Sequence, residues 1–226
     1  MQEETAYFDS HPAFADVIDV PGLPRVLLLG DSISIGYTAP VRELLAGHAN
    51  VHRPRANCHS TGKGIVSLDT WLGDSTWDVI VFNFGLHDVS LIKGEPRTRL
   101  GLYRNRLRTM LDRIRLRTRS IVWVNTTPIT RDCEKRMRMR VVDEPHLFVR
   151  LDKDVRRYNA AAQLIMDEAG VSVVDLYAHA LPRLAEIQIP RNVHFTEEGY
   201  AFLATPIADT IRRHLPQKQP EVVHPK

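Results

Sequence analysis

Four short segments of the sequence contain residues that can do chemistry. Ser32 follows a continuous apolar run in "VLLLGDSISIG", and Gly62 lies in "NCHSTGKGI". His87 and Asp88 follow another apolar run in "FNFGLHDVS", while His194 lies in "NVHFTEEGY" near the C-terminus. These residues supply a hydroxyl nucleophile, an imidazole base and amide donors for an oxyanion, which is the set that nucleophilic acyl transfer needs.

The apolar runs before these segments predict the elements that position them. Continuous rather than alternating apolar residues are typical of parallel strands buried on both faces. Strands are predicted at Val26–Leu29, Ala49–His52, Val79–Phe84, Ile121–Asn125 and Val171–Asp175. Helices are predicted at Ala39–Leu45, Ile65–Trp71, Thr98–Leu116, Val155–Glu168 and Glu197–Leu215. The alternation indicates an α/β fold with a helix-covered parallel sheet, in which ligands bind at the carboxyl ends of the strands.

The hydroxyl at position 32 also has a purely structural interpretation. Asp and Ser are both favoured at helix N-caps, so Asp31 and Ser32 predict the start of a helix whether or not they take part in catalysis. Other side chains are interpreted as surface or loop residues, namely His59, His146 and His179, or as core residues, namely Trp71 and Trp77.

Composition excludes several classes of protein. The chain has 226 residues, a formal charge of +3, 43% apolar residues and 25% charged residues, which is typical of one globular domain. No apolar run approaches the ~20 residues of a membrane span. The acidic, polar N-terminus does not resemble a signal peptide, so we expect a cytoplasmic protein, or a periplasmic or secreted one if the sequence is a trimmed mature form. Cys58 and Cys133 form no disulfide framework or CxxC motif.

Arginine is concentrated in two places. In the predicted helix Thr98–Leu116 the arginines lie off the apolar stripe and no aromatic residues interleave them, which indicates a solvated face rather than a nucleic-acid surface. The long segment Thr127–Arg150 follows a strand and is predicted to overhang the site as a lid. Its basic residues are either a solvated loop or, beside Arg191, a binding site for an anionic sugar. They are Arg131, Lys135, Arg136, Arg138 and Arg140.

The chain divides into an arm, a domain and a tail. Residues 1–24 end in "VPGLP", whose prolines discourage a helix, and are predicted as an extended arm. Residues 25–216 form the predicted catalytic domain. Residues 217–226 are Pro-rich and charged and are predicted as a flexible tail.

The four segments together resemble the blocks of the SGNH (GDSL) hydrolase family. "GDSIS" resembles the first block, with Ser32 as the nucleophile, and "NCHSTGKG" resembles the glycine block, with Gly62 as an oxyanion donor. "GLHD" resembles the third block, and "NVHFTEEGY" the last, which carries the catalytic histidine. The resemblance spans Val26 to about Leu215. It implies a three-layer α/β/α sandwich with a flavodoxin-like, five-stranded parallel sheet, hydrolysis of carboxylic esters and no cofactor. Many members of the family deacylate carbohydrates.

The sequence departs from the family pattern at two positions. Asn normally stands where His87 does and donates to the oxyanion, a role that the single N–H of a neutral imidazole can take over. Asp normally lies three residues before the catalytic histidine, where this chain has Arg191, and it holds the imidazole tautomer and stabilises the imidazolium. Asn192 or a nearby backbone carbonyl can hold the tautomer without supplying charge. Asp31 is interpreted as structural.

The sequence therefore predicts a serine esterase that removes an O-acyl group, such as acetyl, from a carbohydrate or a small-molecule ester. Ser32 attacks the ester after His194 removes its proton, and the amides of Ser32 and Gly62 with the His87 side chain stabilise the oxyanion. The supporting or substrate-binding residues are Asp31, Asp88, Arg191 and Asn192. No metal, nucleic acid or membrane is expected as a partner. Two rivals remain: a metal-dependent hydrolase built from Asp31, His87, Asp88 and His194, and a catalytically inactive carbohydrate-binding module.

Overall fold

The computed structural model describes residues 10–143 and 148–216, in which strands alternate with helices. The strands are β1 (Arg25–Leu29), β2 (Asn50–His52), β3 (Val79–Phe82), β4 (Leu91–Ile92), β5 (Glu95–Pro96), β6 (Ile121–Val124), β7 (Phe148–Val149) and β8 (Ser172–Val174). The α-helices are α1 (Ser32–Leu44), α2 (Thr61–Leu72), α3 (Leu100–Arg115), α4 (Arg131–Asp143), α5 (Asp152–Glu168), α6 (Leu176–Ala180), α7 (Leu184–Ile187) and α8 (Glu197–His214). Residues 1–9 of the predicted arm, His146 and the predicted tail 217–226 lie outside the described residues.

The central sheet is parallel, with the strand order β2-β1-β3-β6-β8. Its middle strands β1, β3 and β6 have the sequences RVLLL, VIVF and IVWV and are almost entirely buried. Strands buried on both faces need helices on both sides, and the helices form two packed groups, α1 with α8 and α2 with α3 and α5. This confirms the predicted α/β sandwich with a five-stranded parallel sheet.

The sheet order explains why distant segments of the chain meet. All strands of the central sheet run in the same direction, so the loops after β1 and β3 leave the sheet at the same edge. The chain segment before α8 reaches that edge because α8 packs along α1, which starts directly after β1. Open α/β sheets bind ligands at this carboxyl edge.

The first helix starts seven residues earlier than predicted, at Ser32 rather than Ala39, and it continues through Pro40. Proline removes one helical hydrogen bond and disfavours helical geometry in the residue before it, so the sequence pattern predicts a late start. Tertiary packing stabilises the longer helix, because Ile33, Ile35 and Tyr37 are all buried on it. No helix of residues 10–143 and 148–216 has the length and apolar character needed to span a bilayer.

The predicted lid Thr127–Arg150 contains a helix. Its basic residues, interpreted as a solvated loop or an anion site, lie on α4. After that helix, β7 pairs with β4 and β4 pairs with β5, so that a small antiparallel sheet forms beside the central one. Strands of two residues have no detectable periodicity, and the sequence pattern therefore did not indicate this sheet.

The described part of the predicted arm, residues 10–24, is not extended throughout. A short 3₁₀-helix at Pro12–Phe14 buries Ala13 and Phe14 against Ile35 of α1. The Arg53 guanidinium lies 5.1 Å from the centre of the Phe14 ring, which fastens this segment to the loop after β2. Burial of the apolar residues at positions 13 and 14 stabilises this segment, and Pro12 at the start of the 3₁₀-helix does not prevent it.

Candidate active site

The nucleophile candidate, Ser32, is the first residue of α1 and follows β1 after two residues. Asp31 is the N-cap, and its Oδ1 accepts a hydrogen bond from the Ile33 amide at 3.0 Å. Of the two residues expected to start the helix, Asp31 therefore caps it, while the hydroxyl of Ser32 makes a different contact.

That contact joins the two ends of the chain. Ser32 Oγ lies 2.9 Å from Nε2 of His194, a hydrogen bond between residues 162 positions apart. His194 is half-buried in the loop before α8. The structure thus brings together the hydroxyl and the imidazole that were predicted as nucleophile and base.

Asn192 fixes the proton on the other side of the imidazole. Its Oδ1 lies 2.9 Å from His194 Nδ1 and also accepts the backbone N–H of His194 at 3.2 Å. The backbone N–H of His194 is a donor, so the side-chain atom of Asn192 that meets it must be the acceptor Oδ1. The same oxygen therefore faces the imidazole ring. The Nδ1 atom of His194 then carries the proton, and Nε2 has a free lone pair facing the Ser32 hydroxyl.

The turn before His194 contains Arg191, at the position where the family pattern has its Asp. The Asn192 amide donates to the Ile189 carbonyl at 3.0 Å, and Arg191 between them has a φ of +61°. The Arg191 side chain is exposed, and its carbonyl accepts a hydrogen bond from Arg136 Nη1 at 3.0 Å. The residue that orients His194 is therefore Asn192, one position after the place where the family pattern has its Asp.

Asp88 holds the glycine segment. Its buried carboxylate accepts hydrogen bonds from the backbone N–H and the hydroxyl of Thr61, the first residue of α2. Gly62 is the next residue, and amides in the first turn of a helix have no carbonyl partner within the helix. Asp88 thus positions the Gly62 amide, and burial raises the pKa of the Asp88 carboxyl.

His87 lies beside a second histidine. The rings of His59 and His87 are 3.8 Å apart, and Nε2 of His87 is buried with no partner in the described chain. Burial is the main cause of the lowered pKa values of His87, about 2, and His59, about 4; the charge of Arg150 contributes at His87, and those of Arg97 and Lys63 contribute at His59. His87 is therefore neutral at neutral pH and has one N–H to donate. His59, predicted as a surface or loop residue, lies in a loop but is half-buried against His87.

Arg150 is the site residue that sequence reasoning missed. It is only 5% exposed, and its Nε donates to the Leu86 carbonyl at 2.8 Å and to Ser90 Oγ at 3.0 Å. Burial lowers its pKa to about 10, opposed by the charge of Asp31. The sequence contained one indication, because the arginine interrupts the apolar run "LFVRL".

The remaining predicted ligands do not form a metal centre. Asp31 caps α1, Asp88 binds the start of α2, and the two histidines of the rival proposal serve other contacts. Within residues 10–143 and 148–216, no three His, Cys, Asp or Glu residues lie together in a way that could hold a metal ion. His179, predicted as a surface or loop residue, is half-buried and packs on Phe202, with ring centres 4.2 Å apart.

An α/β sandwich with a serine–histidine pair at the carboxyl edge of its parallel sheet has the architecture of an acyl hydrolase. Residues 28–202 match the model of the GDSL-like lipase/acylhydrolase family. The chain belongs to that family, and it is a carboxylic ester hydrolase. No curated protein sequence matches the chain at a significant level.

Several solved structures share the fold. A lipase/acylhydrolase from Enterococcus faecalis is 22% identical, with a TM-score of 0.68 over 88% of this chain and 100% of that one. The acetyl xylan esterase AlAXEase is 16% identical, with a TM-score of 0.65 over 83% and 99%. The acetylxylan esterase Axe2 from Geobacillus stearothermophilus, solved as a catalytic mutant, is 16% identical with a TM-score of 0.64 over 86% and 96%.

Proposed function

We propose that this chain hydrolyses esters through an acyl-enzyme on Ser32. The observation that carries the proposal is the 2.9 Å hydrogen bond between Ser32 Oγ and His194 Nε2. Asn192 supports it further, since its Oδ1 accepts the Nδ1 proton of His194 at 2.9 Å. His194 Nε2 takes the Ser32 proton as Oγ attacks the ester carbonyl, and His194 returns that proton to the departing alcohol. A water molecule then attacks the acyl-enzyme with His194 again as base.

The oxyanion that forms during attack needs donors that are in place beforehand. We assign this role to the backbone amides of Ser32 and Gly62 and to one N–H of His87. Both amides belong to first turns of helices, where N–H groups lack helical acceptors and the helix dipole favours negative charge. The low pKa of His87, caused chiefly by burial, keeps that ring neutral.

The protonation state of His194 is the one that a general base requires. Burial lowers the pKa of His194 and the charge of Arg150 lowers it further. His194 is therefore neutral and able to accept a proton at neutral pH.

The substrate class we propose is an O-acetylated carbohydrate. Two structures with the same fold are described as acetyl xylan or acetylxylan esterases. Deacetylation also requires no more than the nucleophile, base and donors assigned above.

Covalent labelling tests the mechanism directly. A fluorophosphonate should modify Ser32, identified by peptide mass spectrometry, and Ser32→Ala should abolish labelling and lower kcat on 4-nitrophenyl acetate by about 10⁴–10⁶. The exposed Ser75→Ala variant is the control and should be labelled like the wild type.

Two other results would each contradict the proposal. Turnover that disappears on chelation and returns with a divalent metal would favour a metal-dependent hydrolase. A folded protein that binds acetylated sugars, takes no label and hydrolyses nothing would favour the inactive carbohydrate-binding module.

A further inference from the structure

A fixed positive charge lies next to the proposed site. The Nε atom of Arg150 is held by the Leu86 carbonyl and by Ser90 Oγ, and its guanidinium carbon lies 4.3 Å from the centre of the Phe148 ring. These contacts restrain the guanidinium from two sides. Its position is therefore set before any substrate binds.

The far end of this guanidinium has no partner in the protein. Within the part of the chain that the structure describes, no acceptor binds Nη1 or Nη2 and no carboxylate forms an ion pair with Arg150. Nη1 and Nη2 are not among the fully enclosed polar atoms that lack a partner, so the small exposed fraction of Arg150, 5%, includes these atoms and leaves them open to a ligand. A cation that has lost most of its water and forms no ion pair is stabilised when it binds an anion.

The charge is close to the reacting groups. Leu86 and Ser90, which hold Nε, flank the segment that carries His87. The charge of Arg150 also acts on His87, on His194 and on the carboxyl of Asp31. Because Nε of Arg150 is bonded to the carbonyl of Leu86, the residue before His87, the guanidinium lies beside the proposed oxyanion donor.

The chain itself does not supply the missing anion. Asp31 is the carboxylate with the strongest electrostatic effect on Arg150, but it caps α1 and does not form an ion pair with the guanidinium. A bound substrate can supply one. The two terminal N–H groups of a guanidinium match the two oxygens of a carboxylate, and this bidentate pairing favours arginine over lysine.

We propose that Arg150 binds a carboxylate of the substrate through Nη1 and Nη2, so that the enzyme prefers esters bearing a negative charge near the ester bond. This rests on the proposed function and specifies its substrate class. An O-acetylated carbohydrate carries such a carboxylate in its alcohol part, as in an acetylated uronic acid; a carboxylate in the acyl part, as in a dicarboxylic acid monoester, would replace acetyl as the acyl group.

Matched pairs of esters distinguish the two positions. Mono-4-nitrophenyl succinate and its methyl ester differ only in a charge on the acyl side, and 4-acetoxybenzoate and its methyl ester differ only on the alcohol side. The wild type should hydrolyse the anionic member of one pair with a kcat/KM about 10- to 100-fold above that of its methylated partner. Arg150→Gln should remove this preference.

Two further variants separate substrate binding from folding. Arg150→Lys retains a positive charge and a donor for Leu86 and Ser90 but lacks the two terminal N–H groups that pair with a carboxylate. It should therefore fold and hydrolyse neutral esters while losing most of the preference for anionic esters. Arg104→Gln removes an equal charge from an exposed position on α3 and should change nothing. Thermal unfolding of each variant verifies the fold.

Each outcome decides the matter. A wild type that hydrolyses neutral esters but prefers neither anion overturns the role of Arg150 and leaves the proposed function intact. The role of Arg150 is also overturned if folded Arg150→Lys protein loses the same factor in kcat/KM on the anionic ester and on its methylated partner. If Ser32 proves not to be the nucleophile, calorimetric titration of the same esters into Ser32→Ala protein, with and without Arg150→Lys, still decides whether the anion binds there.

Discussion

At the scale of single residues, the departure that matters most is the neutral side chain behind His194. A carboxylate in that position would both fix the tautomer and stabilise the imidazolium. Asn192 fixes the tautomer through its Oδ1, which accepts two hydrogen bonds from His194, but it adds no negative charge. Arg150 adds an opposing positive charge nearby. The base is therefore oriented correctly but is weakly basic.

Replacing Asn192 by Asp should supply the missing charge. The carboxylate keeps both acceptor contacts and favours protonated His194, which should raise its pKa by about one unit or more against the opposing charge of Arg150. The acid limb of kcat/KM should then move to higher pH, and the plateau kcat should increase. Asn105→Asp adds the same charge at an exposed position on α3 and serves as the control. An acid limb that does not move in Asn192→Asp would contradict this account of His194.

His87 gives a second prediction at this scale. If its N–H stabilises the oxyanion, His87→Ala should lower kcat by about 10²–10³ and change KM little, because the interaction exists only in the transition state. His87→Asn restores an N–H donor of similar reach and should recover part of the loss. Steady-state kinetics on 4-nitrophenyl acetate separates kcat from KM. Small, equal effects of both changes in folded protein would make His87 a structural residue.

The sequence indicated most of these residues but not their geometry. Ser32, His194 and Asp88 were found because each lies in a polar segment that follows or precedes a regular element, and Asn192 was one of two options for orienting the base. The contact between the His59 and His87 rings and the position of Arg150 depend on loops from different parts of the chain. No local pattern specifies such contacts, since they arise only when the sheet aligns those loops.

At the scale of elements, the position of α8 determines where His194 lies. Gly199 in its first turn packs against the end of α7, where a Cβ would overlap the carbonyl oxygen of Ile187. The same carbonyl accepts the Thr196 amide at 2.9 Å, two residues after His194. The absence of a side chain at Gly199 thus allows the His194 loop to lie close to the α7 backbone.

Gly199→Ala should therefore displace the start of α8. We expect a loss of about 1–3 kcal/mol in the free energy of unfolding, together with a fall in kcat as His194 moves away from Ser32. Gly101→Ala in α3 is a matched control, because no atom lies within 4 Å of its added methyl group and alanine is the better helix former. Urea unfolding and kcat on a neutral ester would test both variants. A Gly199→Ala protein as stable and active as Gly101→Ala would show that this packing is not required.

A helix or strand could be predicted when its hydrophobic pattern extends over enough residues to be recognised. The five strands of the central sheet and the helices α3, α5 and α8 follow from continuous apolar runs and helical stripes. The early start of α1 was missed because Pro40 weakens the helical pattern, although burial of Ile33, Ile35 and Tyr37 outweighs that cost. The strands β4, β5 and β7 have two residues each, too few for any periodicity.

At the scale of the whole molecule, the buried histidines link stability to pH. His59 and His87 have lowered pKa values in the folded chain, about 4 and about 2, while unfolding returns both toward 6.5. Below pH 6.5 the unfolded state therefore binds more protons than the folded state, and stability falls as pH decreases. Asp31 acts in the opposite direction between about pH 6 and 4, because burial raises its folded pKa to about 6. Asp88 also has a raised pKa, but five histidines of the described residues have lowered ones, namely His11, His59, His87, His194 and His214, which leaves a net loss of stability.

The free energy of unfolding should accordingly decrease between pH 7 and pH 5. His59→Gln removes one of the two titrating rings, so its stability should depend less steeply on pH than that of the wild type. His48→Gln replaces an exposed histidine and should leave the slope unchanged. Urea denaturation at several pH values measures all three proteins. Parallel pH profiles for the wild type and His59→Gln would refute the contribution of His59.

The hydrogen bond between Ser32 and His194 also has a consequence for biosynthesis. Its partners are 162 residues apart, so the proposed nucleophile leaves the ribosome long before its proposed base exists. A nascent chain that ends before residue 194 has the first strands and helices but lacks that base. In the proposed mechanism, ester hydrolysis begins only after the last part of the domain has been synthesised and α8 has packed along α1, and the recovery of activity during refolding reports contact between distant parts of the chain.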